Sequence, residues 1–273
     1  MSLRINTNVS ALNAYNNLNK VSKQTETSLT KLSSGYRINS AADDAAGLSI
    51  SEKMRGQIGG LNQAMRNISD GVSMIQTAEG SLTEVHSMLQ RVRDLAVQYK
   101  NSTNSTADRT AIQSEVNQLA SEIERIGASA KFNGISLLSA GAAGGASAVT
   151  FQVGAEDSQE ISVALISVGS TVGTSFYSLT ATGTSDISEI DAAINSISAA
   201  RATFGAVQNR LEYTYNAQSA YAENLTAAES RIRDVDMAAE MVKFTKNQIL
   251  SQAANSMLAQ ANQAPQGVLR LLG

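Results

Sequence analysis

The chain is 273 residues long, 42% apolar but only 4% aromatic, with one proline, no cysteine and no tryptophan. That length allows one or two domains; the lack of cysteine excludes a disulfide framework, a zinc–cysteine centre and a thiol nucleophile; and a lone proline at position 265 leaves long helices uninterrupted. A net charge of −3 with 16% charged residues lacks the basic stripe of a nucleic-acid binder.

The N-terminal stretch is the basic part: Arg4, Lys20, Lys23, Lys31 and Arg37 stand against Glu26 alone. These charges are scattered among Asn, Ser and Thr, so they read as a solvated face. The opening MSLRINTNVSALNAYNNLNK has neither the basic n-region nor the continuous apolar run of a cleavable secretory signal. No stretch reaches the ~18 apolar residues of a membrane span. Both facts predict a soluble chain and leave open export by a route that reads no cleavable signal. Val9, Leu12, Leu18, Val21, Leu29 and Leu32 mark a first helix with too sparse an apolar face to stand alone.

A long helix is predicted from about Ser40–Asp44 to Tyr99. Met54, Ile58, Leu61, Met65, Ile68, Val72 and Ile75 alternate steps of four and three, the seam spacing of packed helices. In this reading Glu79 interrupts the seam, His86 lies on it, and the register slides by one toward Val92 and Leu95. About 55 residues at 1.5 Å each make a rod of ~80 Å. Asp43 and Asp44 sit where acidic side chains favour a helix N-terminus. Gly56, Gly59, Gly60, Gly71 and Gly80 fall inside this helix at about 1 kcal/mol each against alanine, which predicts close approach of a neighbouring backbone.

NSTNSTAD (101–108) reads as a loop and cap. Ile112, Val116, Leu119, Ile123 and Ile126 then repeat the four-three pattern, so this helix folds back antiparallel on the first. AGAAGGASA is a flexible link, VTFQV (149–153) and ISVAL (161–165) form a hairpin around GAEDSQE, and 167–185 is a loop. Helical pattern returns at Ile187, Ile190, Ile194, Ile197, Phe204, Leu211 and Leu225, with Arg201 and Gln208 on the seam. ESRIRDVDM (229–237) is a break. A last helix runs from Met237 to Ala264, carries Met241, Thr245, Ile249, Met257, Leu258 and Ala261, and is stopped by Pro265. The fold class is therefore mainly α: a long antiparallel bundle with a small β-hairpin, flanked by two terminal helices that lack a further partner within the chain.

Catalytic signals are absent. There is no HExxH, no phosphate-binding GxxxxGK[ST], no GxGxxG after a strand and no GxSxG. The one histidine sits at helical spacing, as packed histidines do. No cofactor, metal site or enzymatic activity is expected.

Four long runs carry a resemblance: LRINTNVSALNA (3–14), LSSGYRINSAADDAAGLSISEKMRGQIGGLNQAMRNISDGVSMIQTAEGSL (32–82) with QRVRDLAVQ (90–98), KFNGISLL (131–138) and ESRIRDVDMAAEMVKFTKNQIL (229–250). They closely resemble bacterial flagellins over about residues 1–138 and 186–273. The resemblance implies a subunit that polymerises into the flagellar filament outside the cell, with paired terminal helices as an inner-tube domain D0 (1–40 and 236–273) and a helical D1 (41–235). The variable insertion shrinks to about 140–185, a minimal form with no outer domain. It makes Leu3, Ile5, Val9, Leu12, Leu18, Met241, Ile249, Met257, Leu258, Val268, Leu269, Leu271 and Leu272 the polymerisation residues of D0.

Further partners follow from the same resemblance: copies of the chain itself, an export chaperone on the C-terminal helix, a filament cap and hook–filament junction proteins, with type III export of the unfolded chain. Arg91, Leu95 and Glu115 match a surface read by an animal innate immune receptor and also used between subunits, with Asp94 where many relatives carry Glu. VLRLLG (268–273) is similar to the leucine-rich tail read by a cytosolic immune sensor, although many relatives have Arg in place of Gly273. Two alternatives remain at this point: a hook–filament junction protein, and an enzyme insert on the same scaffold, against which the small insertion speaks.

Overall fold

The computed structural model describes residues 8–139, 148–172, 179 and 186–272; the side chains of 170, 171 and 264–272 fall outside it. The described residues divide into two compact units, one of residues up to 56 and from 224 onward, the other of residues 57–223. The elements are α1 (Val9–Ser34), α2 (Ala45–Tyr99), α3 (Thr106–Ser129), β1 (Lys131–Phe132), β2 (Ile135–Ser136), β3 (Ala148–Gln152), β4 (Glu160–Ala164), α4 (Val168–Val172), α5 (Asp186–Arg233) and α6 (Met237–Leu272).

Helix starts follow local chemistry. Asp44 caps α2 by accepting from Gly47 N at 2.9 Å. Asp43 accepts from the backbone of Ser40 and Asn39 and from the Ser40 hydroxyl, and these bonds hold its carboxyl below the usual range. Ser105 and Asp108 form a reciprocal capping box at α3.

In the unit of residues 57–223, α2, α3 and α5 share one core. Its seam on α2 is Leu61, Ala64, Ile68, Gly71, Ile75, Ala78, Leu82, Val85, Leu89, Val92 and Ala96, all buried. These positions form two unbroken seven-residue series, so the seam runs without a register slip. The expected seam was off by one at alternate layers: Met65, Val72, Glu79 and His86 only flank it. On α5, Ala193 and Ala200 are buried, while Ile194 and Arg201 flank. On α3, Ala120 and Gly127 are buried and Leu119 and Ile126 flank. Small residues take these layers because they let the neighbouring element come close. The flanking charges then find each other: Glu79 and Arg201 pair at 3.6 Å, and Arg93 reaches Asp191 at 2.6 Å.

The expected hairpin is present, with Val149 opposite Val163 and Phe151 opposite Ile161. It lies on α2, where Asn67 donates to the Gln152 carbonyl at 3.1 Å. Two helix glycines admit it: a Cβ at Gly71 would sit 3.3 Å from the Phe151 ring, and one at Gly60 would meet Ala155 at 3.0 Å. Gly56, Gly59 and Gly80 face open space, so close approach within the described chain does not account for them. Gly80→Ala should therefore raise monomer stability by about 0.5–1 kcal/mol. Gly71→Ala should lose that gain against the ring, and urea midpoints of the two variants check the difference.

A second, two-residue hairpin was not anticipated. Lys131–Phe132 pairs with Ile135–Ser136 across Asn133 (φ 47°) and Gly134 (φ 81°). The Asn-Gly pair was the legible signal, since both turn positions require positive φ.

Three boundaries differ from the expectation. The region 167–185 contains a helical turn, α4; 173–178 and 180–185 lie outside the described residues, as does the 140–147 part of the link. The break at 229–237 narrows to 234–236, because α5 runs on to Arg233 with Arg231 and Arg233 at its C-terminal, electronegative end. Asp236 then caps α6 by accepting from Ala239 N at 3.0 Å. Finally, α6 passes through Pro265 to Leu272. A proline inside a helix removes one hydrogen bond, and the carbonyl it strands, that of Ala261, is served from elsewhere by Asn8.

Candidate assembly surface

In the other unit, α1 and α6 run antiparallel, with Asn8 against Ala261 at one end and Ser28 against Glu240 at the other. The side chains turned toward each other are largely small or polar. On α1 they are Ala11, Ala14, Leu18, Val21, Thr25 and Ser28; on α6 they are Glu240, Phe244, Asn247, Ser251, Ala254, Leu258 and Ala261. Both series keep steps of three and four, a heptad seam. Leu18 and Leu258 belong to this seam and are half-buried.

Its apolar members are Leu18, Val21, Phe244 and Leu258, and most of the other large apolar residues point away from it. Val9 and Leu12 on α1 are each 55% exposed; Met241, Ile249 and Met257 on α6 are 49%, 61% and 64% exposed. Met241, Val242, Thr245, Ile249 and Leu250 line one shallow apolar groove on α6 together with Lys246. The pair thus turns an amphipathic pattern outward, and a soluble monomer seldom leaves such a face uncovered. Among the remaining candidates, Leu3 and Ile5 lie outside the described residues, and the side chains of Val268, Leu269, Leu271 and Leu272 do too.

The joint between chain halves is tight. Residues 35–37 lie beside 233–235: Val235 N donates to the Gly35 carbonyl at 3.0 Å and Arg37 N to that of Arg233 at 2.6 Å. Arg233 is buried, stacks 4.8 Å over the Tyr36 ring and pairs with Glu52. Gly35, at φ 77°, ends α1 in the left-handed conformation that glycine adopts without strain.

Glu240 is a buried acid at the α1–α6 seam. It accepts from the Ser28 hydroxyl at 2.7 Å and from Lys243 at 3.0 Å, inside a groove that Lys20, Lys23, Lys31, Lys243 and Lys246 also line. The Ser28 hydrogen bond, then Lys243, hold its carboxyl below the ordinary range, against the opposing effect of burial. A depressed acid stabilises the fold above its unfolded pKa, and that contribution is lost as pH falls through the folded value. Helix pairing here should therefore weaken below about pH 4. Circular dichroism at pH 7 and pH 3 should show it, and Glu240→Gln should flatten that part of the pH dependence.

Of the three recognition candidates, Arg91 and Glu115 are exposed partners at 2.7 Å, tying α2 to α3. Leu95 is buried, 2% exposed, and belongs to the core rather than to the surface. His86 bonds Gln90 at 3.0 Å on the seam's flank. Among the described residues no cluster of His, Cys, Asp and Glu could hold a metal, and no helix is long and apolar enough to cross a membrane.

Comparison with known proteins agrees with this architecture. Residues 5–143 match the bacterial flagellin N-terminal helical region, and residues 187–272 match the bacterial flagellin C-terminal helical region. The chain is 49% identical to a flagellin of Bacillus subtilis (strain 168), covering 99% of this chain and all of that protein. It is 47% identical to a flagellar filament 33 kDa core protein of Treponema phagedenis, over 98% of this chain and 99% of that one. Among solved structures it is similar to Bacillus cereus flagellin, with a TM-score of 0.52 and 32% identity, covering 60% of this chain and 94% of that one.

Proposed function

Because the chain belongs to the bacterial flagellin family, and is thus a structural subunit of the flagellar filament outside the cell, we propose that it polymerises through the outward apolar face of α1 and α6. Its work is mechanical rather than catalytic. The observation that carries the reading is the set of large apolar side chains the helix pair leaves exposed: Val9, Leu12, Met241, Ile249 and Met257 lie outside a seam that is largely small or polar. Such a face gains its burial from copies of the same chain. Contacts between unlike faces that do not close on themselves generate an open helical polymer.

In this reading residues 1–40 and 236–273 form the inner-tube domain, and 41–235 form the surrounding shell. Leu3, Ile5, Val268, Leu269, Leu271 and Leu272 are assigned to polymerisation by the family resemblance alone. Leu18 and Leu258 act one step removed, by holding the pair together. The Arg91–Glu115 pair offers a charged surface for subunit contact and for an animal innate immune receptor, with Leu95 in the core. Export of the unfolded chain by a type III route, an export chaperone on the C-terminal helix, a cap and junction proteins at the filament ends complete the proposal; the lack of cysteine suits a chain that travels unfolded.

Ile249→Asp tests the face. The position is exposed in the monomer, so its helix content should be unchanged, while burying a carboxylate between subunits is strongly unfavourable. The concentration needed for filament formation should rise at least about tenfold, as read by sedimentation. Assembly at the wild-type concentration would show that the filament does not use this face.

A further inference from the structure

One side chain joins the first turn of α1 to the last third of α6. The Oδ1 of Asn8 accepts from Ala11 N at 3.0 Å and so caps α1. Its Nδ2 donates to the Ala261 carbonyl at 2.7 Å, across 253 residues of sequence. In an unbroken helix that carbonyl would receive the N–H of residue 265. Residue 265 is proline and has no N–H, yet α6 continues through it. Asn8 thus supplies the donor that Pro265 withholds.

The chemistry selects asparagine. A cap needs an acceptor, which Asp, Ser or Thr also provide. Serving a carbonyl at the same time needs a donor on the far side of a short planar group, which the amide has and a carboxylate lacks. An aspartate here would keep the cap and set a negative oxygen against a carbonyl oxygen.

The position of the bond matters because Ala, Ser and Thr fill about half of the seam between α1 and α6, and its end beside Asn8 is Ala11 and Ala14 against Ala261 and Leu258. Layers of similar small residues distinguish one register from the next poorly, and a polar group with a single partner does so well. Ser28 with Glu240 fixes the far end. We propose that Asn8, paired with the carbonyl stranded by Pro265, is a register pin that sets the axial alignment of α1 on α6, and with it the composite outward face presented for assembly. The inference rests on the filament reading for its consequence, though not for the pin itself. Pro265 is then a built-in vacancy in α6 that only a correctly aligned α1 fills. Asn8 is a positioning residue: it touches no other subunit in this argument and acts through the alignment of the two helices.

Full-length wild type, Asn8→Asp, Pro265→Ala and the double variant test it by two readouts. The first is the critical concentration for filaments, and the second is amide hydrogen exchange over 8–14 and 255–264. Asn8→Asp should raise the critical concentration about fivefold, the equivalent of one net hydrogen bond, and should speed exchange in both segments. With Pro265→Ala the Ala261 carbonyl regains a donor from its own helix, so adding Asn8→Asp should change either readout by less than about twofold. An Asn8→Asp protein indistinguishable from wild type in both readouts overturns the pin. So does an equal Asn8→Asp effect with and without the proline, which would mean that the effect does not depend on the carbonyl Pro265 strands. If wild type forms no filaments, the assembly reading fails, and the exchange data alone decide the pin by the same comparison.

Discussion

Removing residues 1–35, or residues 240–273, is expected to leave a folded, helical protein that forms no filaments at any concentration. The shared core of α2, α3, α5 and the hairpin draws its buried residues from positions 68 to 211. Neither truncation touches them, so circular dichroism and a cooperative urea transition should persist. Either deletion takes one partner of the α1–α6 seam and leaves the other's inward residues, Leu18 and Val21 or Phe244 and Leu258, without cover. Isolated helices of this kind are marginal in water. The outward residues Val9 and Leu12, or Met241, Ile249 and Met257, leave with the deleted helix. Electron microscopy and sedimentation should show monomers only, and filaments from either truncation would show that the paired α1–α6 face is not required for assembly.

The second large effect concerns stability rather than assembly. Phe204→Ala should cost about 3–5 kcal/mol. Phe204 is 1% exposed and heads the fully buried side chains by size. In a chain with so few aromatics, the layers around it are Ala200, Val207 and other modest side chains that cannot collapse into the space left. Tyr213, nine residues on along α5 and 77% exposed, is the control: Tyr213→Ala should stay within about 0.5 kcal/mol. Urea midpoints measure both. Equal losses at the two positions would mean that the buried seam of α5 is not where the core gains its stability.

Much of the fold was legible because its signals are local. The start of α2 follows from Asp44, the start of α3 from the Ser105–Asp108 box, and the hairpin from two β-rich runs around a polar turn. Each is decided within a few residues of chain. The seam residues were legible only in part. Met65 and Val72 outweigh Ala64 and Gly71 in hydrophobicity, and the four-three spacing carried on from them falls on Glu79 and His86 in place of Ala78 and Val85. The layer is decided by how near the opposing element comes, and Gly71 under the Phe151 ring is the plainest case. Glu79 then looked like an interruption, although Arg201 waits for it on a helix more than a hundred residues away.

Pro265 divides the two kinds of information most sharply. Read alone it ends a helix, which is its intrinsic tendency. In the structure the helix continues, because Asn8 brings a donor to the carbonyl left without one. The helical class, the extent of α2, the flagellin resemblance and the apolar residues without partners near both ends are all readable from the sequence. Only the tertiary structure decided which way those residues face. Pairing α1 with α6 along a largely small or polar seam turns Val9, Leu12, Met241, Ile249 and Met257 outward. Periodicity gives the faces of a helix, but which face is covered depends on a partner that the sequence places some two hundred residues away.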